Sequence, residues 1–399
     1  MSFSVRLRLS VLMLLEYFTW GAWYVTMGTY LITALKADAV QVGAAYANLS
    51  IAAIISPFFV GLIADRFFAA QKVLGVLHLA GAVTLYLTGS VQDFGSFWWL
   101  ILLYTLLYMP TMSLANAISF RQMTDSGREF PSVRVFGTVG WIAAGLLIGF
   151  AKVEASALTF HIAAASSLLL GVYSFFLPDT PPVKKKVQLS DVLGLDALVL
   201  FKSRSYWLFF ITAIAVCVPL AFYYSFTNAF LNGSGMSNAA GKMTLGQVSE
   251  FLFLLLMPLL FVRMGVKRML VLGMACWILR YVLFAYGDSG AGAWMLYGGI
   301  VLHGMCYDFF FVTGQIYTDR KAGEAVRSAA QGLITLATYG IGMLVGSYVS
   351  GFVARRFSHV TPAGATYDWQ TIWLVPAGIT GVFLLLFVFL FRDDDQQKL

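Results

Sequence analysis

The chain has 399 residues, 59% of them hydrophobic and 11% charged, with a mean hydropathy of +0.79 and a formal net charge of +7. A water-soluble domain cannot bury that much apolar surface, so the solvent is largely lipid. No H-E-x-x-H, G-x-S-x-G, G-x-x-x-x-G-K or Cys-rich metal pattern is present, and no extramembrane stretch is long enough for a catalytic domain, so an enzyme, a cofactor and a metal centre are not expected.

A helix that crosses a bilayer needs about 20 apolar residues. Such runs fall at 8–33, 41–63, 72–91, 96–120, 132–152 and 157–178, and again at 205–231, 241–262, 268–287, 292–317, 326–354 and 370–391. The first run carries Glu16 and the bulky Trp20-Gly21-Ala22-Trp23, so it reads as a retained span and not as a cleaved signal sequence. Cys217, Cys276 and Cys306 all lie in apolar runs without paired spacing, as small buried hydrophobes do. The eleventh run is rich in glycine (Gly332, Gly340, Gly342, Gly346, Gly351), which suits close helix contact. Pro57, Pro110, Pro219, Pro258 and Pro376 fall within runs, where membrane helices tolerate them.

The longest polar connection, 179–204, contains Asp179-Thr180-Pro181-Pro182 and Lys184-Lys185-Lys186 and separates six runs from six. The organisation expected is an N-terminal six-helix bundle (1–178), a cytoplasmic linker (179–204) and a C-terminal six-helix bundle (205–399). Twenty of the 26 Lys and Arg lie on the side shared by both termini and the linker, five lie on the other, and Arg280 sits within the ninth run. The positive-inside rule then makes both termini cytoplasmic. Three lysines in such a linker suit solvation and not nucleic-acid binding.

Glu16, Arg134, Glu250 and Asp308 fall inside or at the edge of apolar runs. A charge at mid-bilayer costs roughly 2.5 to 17 kcal/mol depending on the scale used, so it persists where a partner or a watery cavity receives it. Helical spacing groups the neighbours of these charges. Arg134, Thr138 and Trp141 share one face, as do Ser225 with Asn228, Gln247 with Glu250, and His303 with Tyr307, beside Asp308. Rings for stacking, hydroxyls, carboxamides and carboxylates suit a nucleoside, and they suit a sugar equally.

Structural readings stand beside these. Arg134, one turn beyond Pro131, also fits a basic residue facing phosphates at a cytoplasmic helix end. Glu16 suits a structural acceptor as well as a proton-linked role. Arg280 reads as a structural counter-charge or as a side chain that snorkels outward. His78 and His161 read as ordinary interior or interfacial residues.

Gly61-Leu62-Ile63-Ala64-Asp65-Arg66-Phe67 follows the second run, and Phe261-Val262-Arg263-Met264-Gly265-Val266-Lys267-Arg268 follows the eighth. Twelve spans arranged as six and six, a basic central loop and this G-x-x-x-D-R turn resemble the major facilitator superfamily. The basic run usual after the signature is degraded here to Phe68-Ala69-Ala70-Gln71-Lys72. The resemblance implies an all-α integral membrane protein, two parallel six-helix halves working by alternating access, and a gating loop at Gly61, Asp65 and Arg66.

A closer resemblance covers most of the chain. Leu15-Glu16-Tyr17-Phe18-Thr19-Trp20-Gly21-Ala22-Trp23, Arg134-Val135-Phe136-Gly137-Thr138-Val139-Gly140-Trp141, Thr227-Asn228-Ala229, Gly246-Gln247-Val248-Ser249-Glu250 and His303-Gly304-Met305-Cys306-Tyr307-Asp308-Phe309-Phe310 look like the bacterial nucleoside:proton symporters. Phe175-Phe176-Leu177-Pro178-Asp179-Thr180-Pro181-Pro182 is similar to a poorly characterised branch of that group. The resemblance implies a substrate pocket at Arg134, Thr138, Trp141, Ser225, Asn228, Gln247, Glu250, His303, Tyr307 and Asp308. Asp308, Glu250 and Glu16 are the candidates for proton coupling, with Arg134 as partner of the two C-terminal carboxylates. Trp141 and Tyr307 stand where the nucleoside-specific members have Phe, His303 where they have Tyr, and Ser225 where they have Gln. The change at Ser225 removes an amide that reads the base.

The function expected is proton-coupled nucleoside uptake by a monomer in the bacterial cytoplasmic (inner) membrane, with substrate, protons and lipid as its partners. A proton-linked sugar or polar-metabolite permease and a transporter-derived sensor are the alternatives. No proline stands between Pro131 and Pro178, whereas drug:proton antiporters of the superfamily usually carry a Gly-Pro pattern there.

Overall fold

The computed structural model describes residues 1–59, 68–182, 195–361 and 364–392. Gly61, Asp65 and Arg66 of the expected gating loop, and Lys184, Lys185 and Lys186 of the linker, lie outside the described residues.

The chain divides into two compact units. The first comprises Met1–Ala37, Ala44–Val187 and Asn238–Thr244, and the second Asp38–Gly43, Gln188–Ser237 and Leu245–Leu399. The helices of the N-terminal part are α1 (Phe3–Gly21), α2 (Met27–Thr33), α3 (Ala39–Phe59), α4 (Ala70–Ser90), α5 (Phe94–Arg121), α6 (Ser126–Ala151) and α7 (Leu158–Ser174). A 3-10 turn (Leu195–Lys202) then leads into α8 (Arg204–Gly233), α9 (Ala239–Tyr286), α10 (Ala293–Val301) and α11 (His303–Tyr307). A π-helical turn at Asp308–Val312, α12 (Thr313–Thr335), a second π turn at Leu336–Gly342, α13 (Met343–Arg356) and α14 (Trp369–Leu390) complete the order.

Nine helical stretches among the described residues are long and apolar enough to cross a membrane. The 48-residue α9 joins two of the expected spans through Gly265, whose φ of +70° turns the chain without the steric penalty a Cβ would bring. The tenth and eleventh spans meet inside α12 at Gly323, where φ is +63°. The sixth span is the shorter apolar helix Leu158–Ser174.

The first expected span is not continuous. It breaks between Gly21 and Met27, and the Tyr46 hydroxyl serves the backbone freed there. That hydroxyl donates to the Tyr24 carbonyl (2.7 Å) and accepts from Gly28 N–H (3.1 Å). Unpaired backbone groups are costly in hydrocarbon, so an irregular stretch needs such a partner. A second departure from an all-helical chain is a small antiparallel hairpin, β1 (Ser358–Thr361) with β2 (Gly364–Tyr367), between α13 and α14.

Helix starts follow the sequence. Asp93 accepts from Ser96 N–H (2.8 Å) at the start of α5, and Asp368 accepts from the Thr371 hydroxyl (2.6 Å) and N–H (3.2 Å) at the start of α14. These bonds favour the ionised form and hold both carboxyls below the usual aspartate range.

In the first unit α1 packs on α6, and α4 on α5 and α7. A Cβ at Gly140 would lie 2.1 Å from the Leu14 carbonyl oxygen, so only glycine allows α6 to come this close to α1. In the second unit Tyr281 and Trp373 stack at 5.4 Å, tying α9 to α14. Gly342 and Gly346 bring the eleventh span against Cys217 and Ala221 of α8. All three cysteines are buried and free. Val76, Val83 and Tyr86 of α4, Phe352 of α13 and Phe389 of α14 stay exposed, as membrane-facing side chains do.

Candidate functional site

Among the described residues, the candidate polar side chains gather in two places, one in each unit. In the first unit α6 carries Arg134, Thr138 and Trp141, all half-buried. The Arg134 guanidinium lies over the Tyr17 ring at 4.0 Å, so it is turned onto α1 as a cation–π pair. Trp141 meets Trp20 edge-on at 5.3 Å and Tyr24 at 6.4 Å. Gly21 lets the two helices approach here, since a Cβ on it would sit 3.2 Å from Trp141.

Behind this aromatic face lies Glu16, fully buried. Its Oε2 is 2.8 Å from His78 Nε2, and its Oε1 accepts from the Thr111 hydroxyl at 2.6 Å. Tyr108 donates to the Glu16 backbone carbonyl at 2.9 Å. His78 Nδ1 is 3.1 Å from the Ser167 hydroxyl. The cluster therefore draws on four helices: Glu16 from α1, His78 from α4, Tyr108 and Thr111 from α5, and Ser167 from α7. His78 is thus no ordinary interior residue. Sequence reasoning missed it because its partner is 62 positions away. The available signal was a histidine within an apolar span.

In the second unit Asp308 begins the π turn and is 1% exposed. Neither carboxylate oxygen has a hydrogen-bond partner among the described residues. A Cβ at Gly273 would lie 2.9 Å from Phe310 N, so α9 leans directly on this turn. Single π turns inside α-helices often accompany functional sites, because the extra residue re-aims a side chain.

Arg280 is fully buried, so it does not snorkel outward. Its guanidinium lies 3.6 Å over the Tyr223 ring, and Nη1 is 3.0 Å from His303 Nδ1. Arginine can only donate, so His303 Nδ1 is the acceptor and the imidazole carries its hydrogen on Nε2. That Nε2 faces Glu250 Oε2 at 3.6 Å, with the His303 ring stacked on Tyr223 at 4.9 Å. The distance is long for a direct hydrogen bond, but it aligns Arg280, His303 and Glu250 in one polar row. Gly304 makes the row possible, because a Cβ on it would lie 2.4 Å from Glu250 N.

Tyr307 shares a hydrogen bond between hydroxyls with Tyr339. On α8, Ser225 and Asn228 are both buried, and Asn232 donates to the Asn228 side-chain oxygen at 3.2 Å. Gln247 and Glu250 are half-buried on α9. The structure brings Glu250, His303, Tyr307 and Asp308 onto adjoining turns and adds Tyr223, Arg280 and Tyr339, which spacing did not single out. Tyr17 and Trp20 were visible in the sequence only as part of the phrase around Glu16.

Comparison with known proteins shows the family. A sequence model of the family described as "Nucleoside H+ symporter" matches residues 2–396. YegT of Escherichia coli (strain K12), named as a candidate nucleoside transporter, is 43% identical over 402 residues, covering 98% of this chain and 94% of YegT. Xanthosine permease of the same strain is 35% identical over 414 residues, covering 99% and 98% of the two chains. The crystal structure of the nucleoside transporter NupG superposes with a TM-score of 0.89 at 32% identity, covering 97% of this chain and 99% of NupG.

Proposed function

The chain belongs to the nucleoside H+ symporter family, and from that membership we propose that it carries nucleosides into the cell with protons, by alternating access. The observation that carries this reading is the family match over residues 2–396, which spans every residue of both clusters.

Chemistry divides the roles. Trp141 and Tyr307 each offer a ring face to the base, and His303 lies beside Tyr307. Thr138, Ser225, Asn228 and Gln247 supply hydroxyl and amide groups for the base edge and the ribose. Glu250 accepts from ribose hydroxyls, and Arg134 contributes a fork of donors. Asp308 takes the coupling proton. An enclosed carboxylate without donors is costly as an anion and much less so as a neutral acid. Its enclosure therefore favours holding a proton, and exposure to a donor or to water favours release.

The protein works as a monomer in the bacterial cytoplasmic membrane with both termini on the cytoplasmic side. The four-to-one Lys/Arg asymmetry supports that orientation.

The test is uptake of radiolabelled uridine, adenosine and xanthosine into proteoliposomes, with and without an inward proton gradient. Accumulation above equilibrium that requires the gradient is the expected result. Uptake indifferent to the gradient, in a protein that binds the nucleoside, overturns the coupling.

A further inference from the structure

The hydrogens around Glu16 and His78 fit more than one arrangement. The Thr111 hydroxyl is 2.6 Å from Glu16 Oε1 and 2.6 Å from the Tyr108 carbonyl oxygen. Ser167 Oγ is 3.1 Å from His78 Nδ1 and 2.9 Å from the His78 carbonyl oxygen. A hydroxyl has one hydrogen, so each can serve only one of these neighbours at a time. Each backbone carbonyl is a standby acceptor.

With carboxylate and imidazolium, Thr111 donates to Oε1 and His78 Nε2–H donates to Oε2. Nδ1–H then donates to Ser167, and Ser167 donates to the His78 carbonyl. Adding one proton to Oε1 gives a carboxylic acid. Thr111 turns, accepts from the new O–H and donates to the Tyr108 carbonyl. Removing a proton from Nδ1 instead leaves a neutral imidazole, and Ser167 turns to donate to it. Three protonation states are accommodated by rotating two hydroxyls, with every donor satisfied and no heavy atom displaced.

We propose that the Glu16–His78 cluster is a second proton-binding site, separate from Asp308 and contained within the first unit. Among the described residues, the titratable groups facing it are Tyr104 and Tyr108 of α5, and Tyr17 of α1 and Arg134 of α6 lie beyond, acting on Tyr108. From α7 it meets Ser166, through Thr19, and Ser167. The cluster also has an output. Glu16 lies one turn before Trp20 and next to Tyr17, whose rings hold Trp141 and Arg134. A change of charge at Glu16 therefore acts through α1 on the side chains that α6 presents.

The proposal rests on the symport reading for its role in transport, and one set of measurements separates the two. Full-length protein in proteoliposomes is assayed for gradient-driven uridine accumulation, for uridine counterflow without a gradient, and for the pH dependence of uptake. If the wild-type protein accumulates uridine without regard to the gradient, the symport reading fails. If the wild-type protein needs the gradient, Glu16→Gln is expected to lose accumulation and keep counterflow. Wild-type accumulation by Glu16→Gln overturns the second site and leaves symport standing. If Glu16→Gln loses counterflow too, its fold is compromised and Thr111→Val decides, since it removes only the rotating hydroxyl. Thr111→Val is expected to keep counterflow and displace the pH profile of uptake; an unchanged profile overturns the proposal.

Discussion

Arg280 donates to His303 and stacks on Tyr223, so its buried charge is met by an imidazole lone pair and a ring face. A lysine there keeps the charge but loses the planar fork that does both at once. Arg280→Lys is expected to cost about 1–3 kcal/mol through the unmatched buried groups, read as a lower melting temperature in detergent and as weaker nucleoside binding. Asp308 predicts the opposite pattern. Its carboxylate has no donor among the described residues, so Asp308→Asn removes no hydrogen bond. The variant is expected to melt no lower than the wild type while losing gradient-driven accumulation. A large fall in melting temperature would mean that Asp308 is held by a partner. At this scale the sequence was legible wherever placement follows local spacing, as for Arg134, Thr138 and Trp141, all carried by α6. It was not legible for His78 and Arg280, which gain their meaning from residues 62 and 23 positions away.

Two glycines set the distance between helices that carry the polar side chains. A Cβ at Gly140 would meet the Leu14 carbonyl at 2.1 Å, and one at Gly304 would meet Glu250 N at 2.4 Å. Neither neighbour is a flexible side chain, so the helices themselves must separate. Gly140→Ala and Gly304→Ala are each expected to cost about 1–3 kcal/mol as overpacking does, and Gly304→Ala also to weaken nucleoside binding by moving His303 off Glu250. Gly378, with nothing within 4 Å, is the control. Gly378→Ala is expected to be neutral or stabilising by up to about 1 kcal/mol from helix propensity. The caps make a prediction about pH. Asp93 and Asp368 have depressed carboxyl pKa values in the folded chain, so their capping bonds contribute above the ordinary aspartate range and are lost as pH falls through the folded values. Amide exchange at Ser96 and Thr371, corrected for its intrinsic pH dependence, is expected to accelerate over that acid range. The hydrophobic runs announced these helices, whereas the break after Gly21 did not show. It is held open by the Tyr46 hydroxyl, a partner outside the first span.

For the molecule as a whole, a ligand that binds only the native state stabilises it by mass action. A nucleoside at 100 times its dissociation constant adds about 2.7 kcal/mol. A thermal-shift panel of nucleosides, free bases and sugars on the detergent-purified protein is expected to show shifts for nucleosides and smaller or no shifts for sugars. The reverse order would favour a sugar permease. Composition alone determined that the chain lives in a bilayer, because 59% hydrophobic residues leave no other solvent. Run lengths determined the number of spans, since the hydrocarbon thickness sets the length of an apolar helix. Ordered phrases in both halves carried the family. The tertiary structure alone decided which charges are partnered. Glu16 has His78 and Thr111, Arg280 has His303 and Tyr223, and Asp308 has no hydrogen-bonding side-chain partner among the described residues. Hydropathy registers the cost of burying a charge. The group that offsets it sits on another helix, brought there by packing that no single stretch of sequence contains.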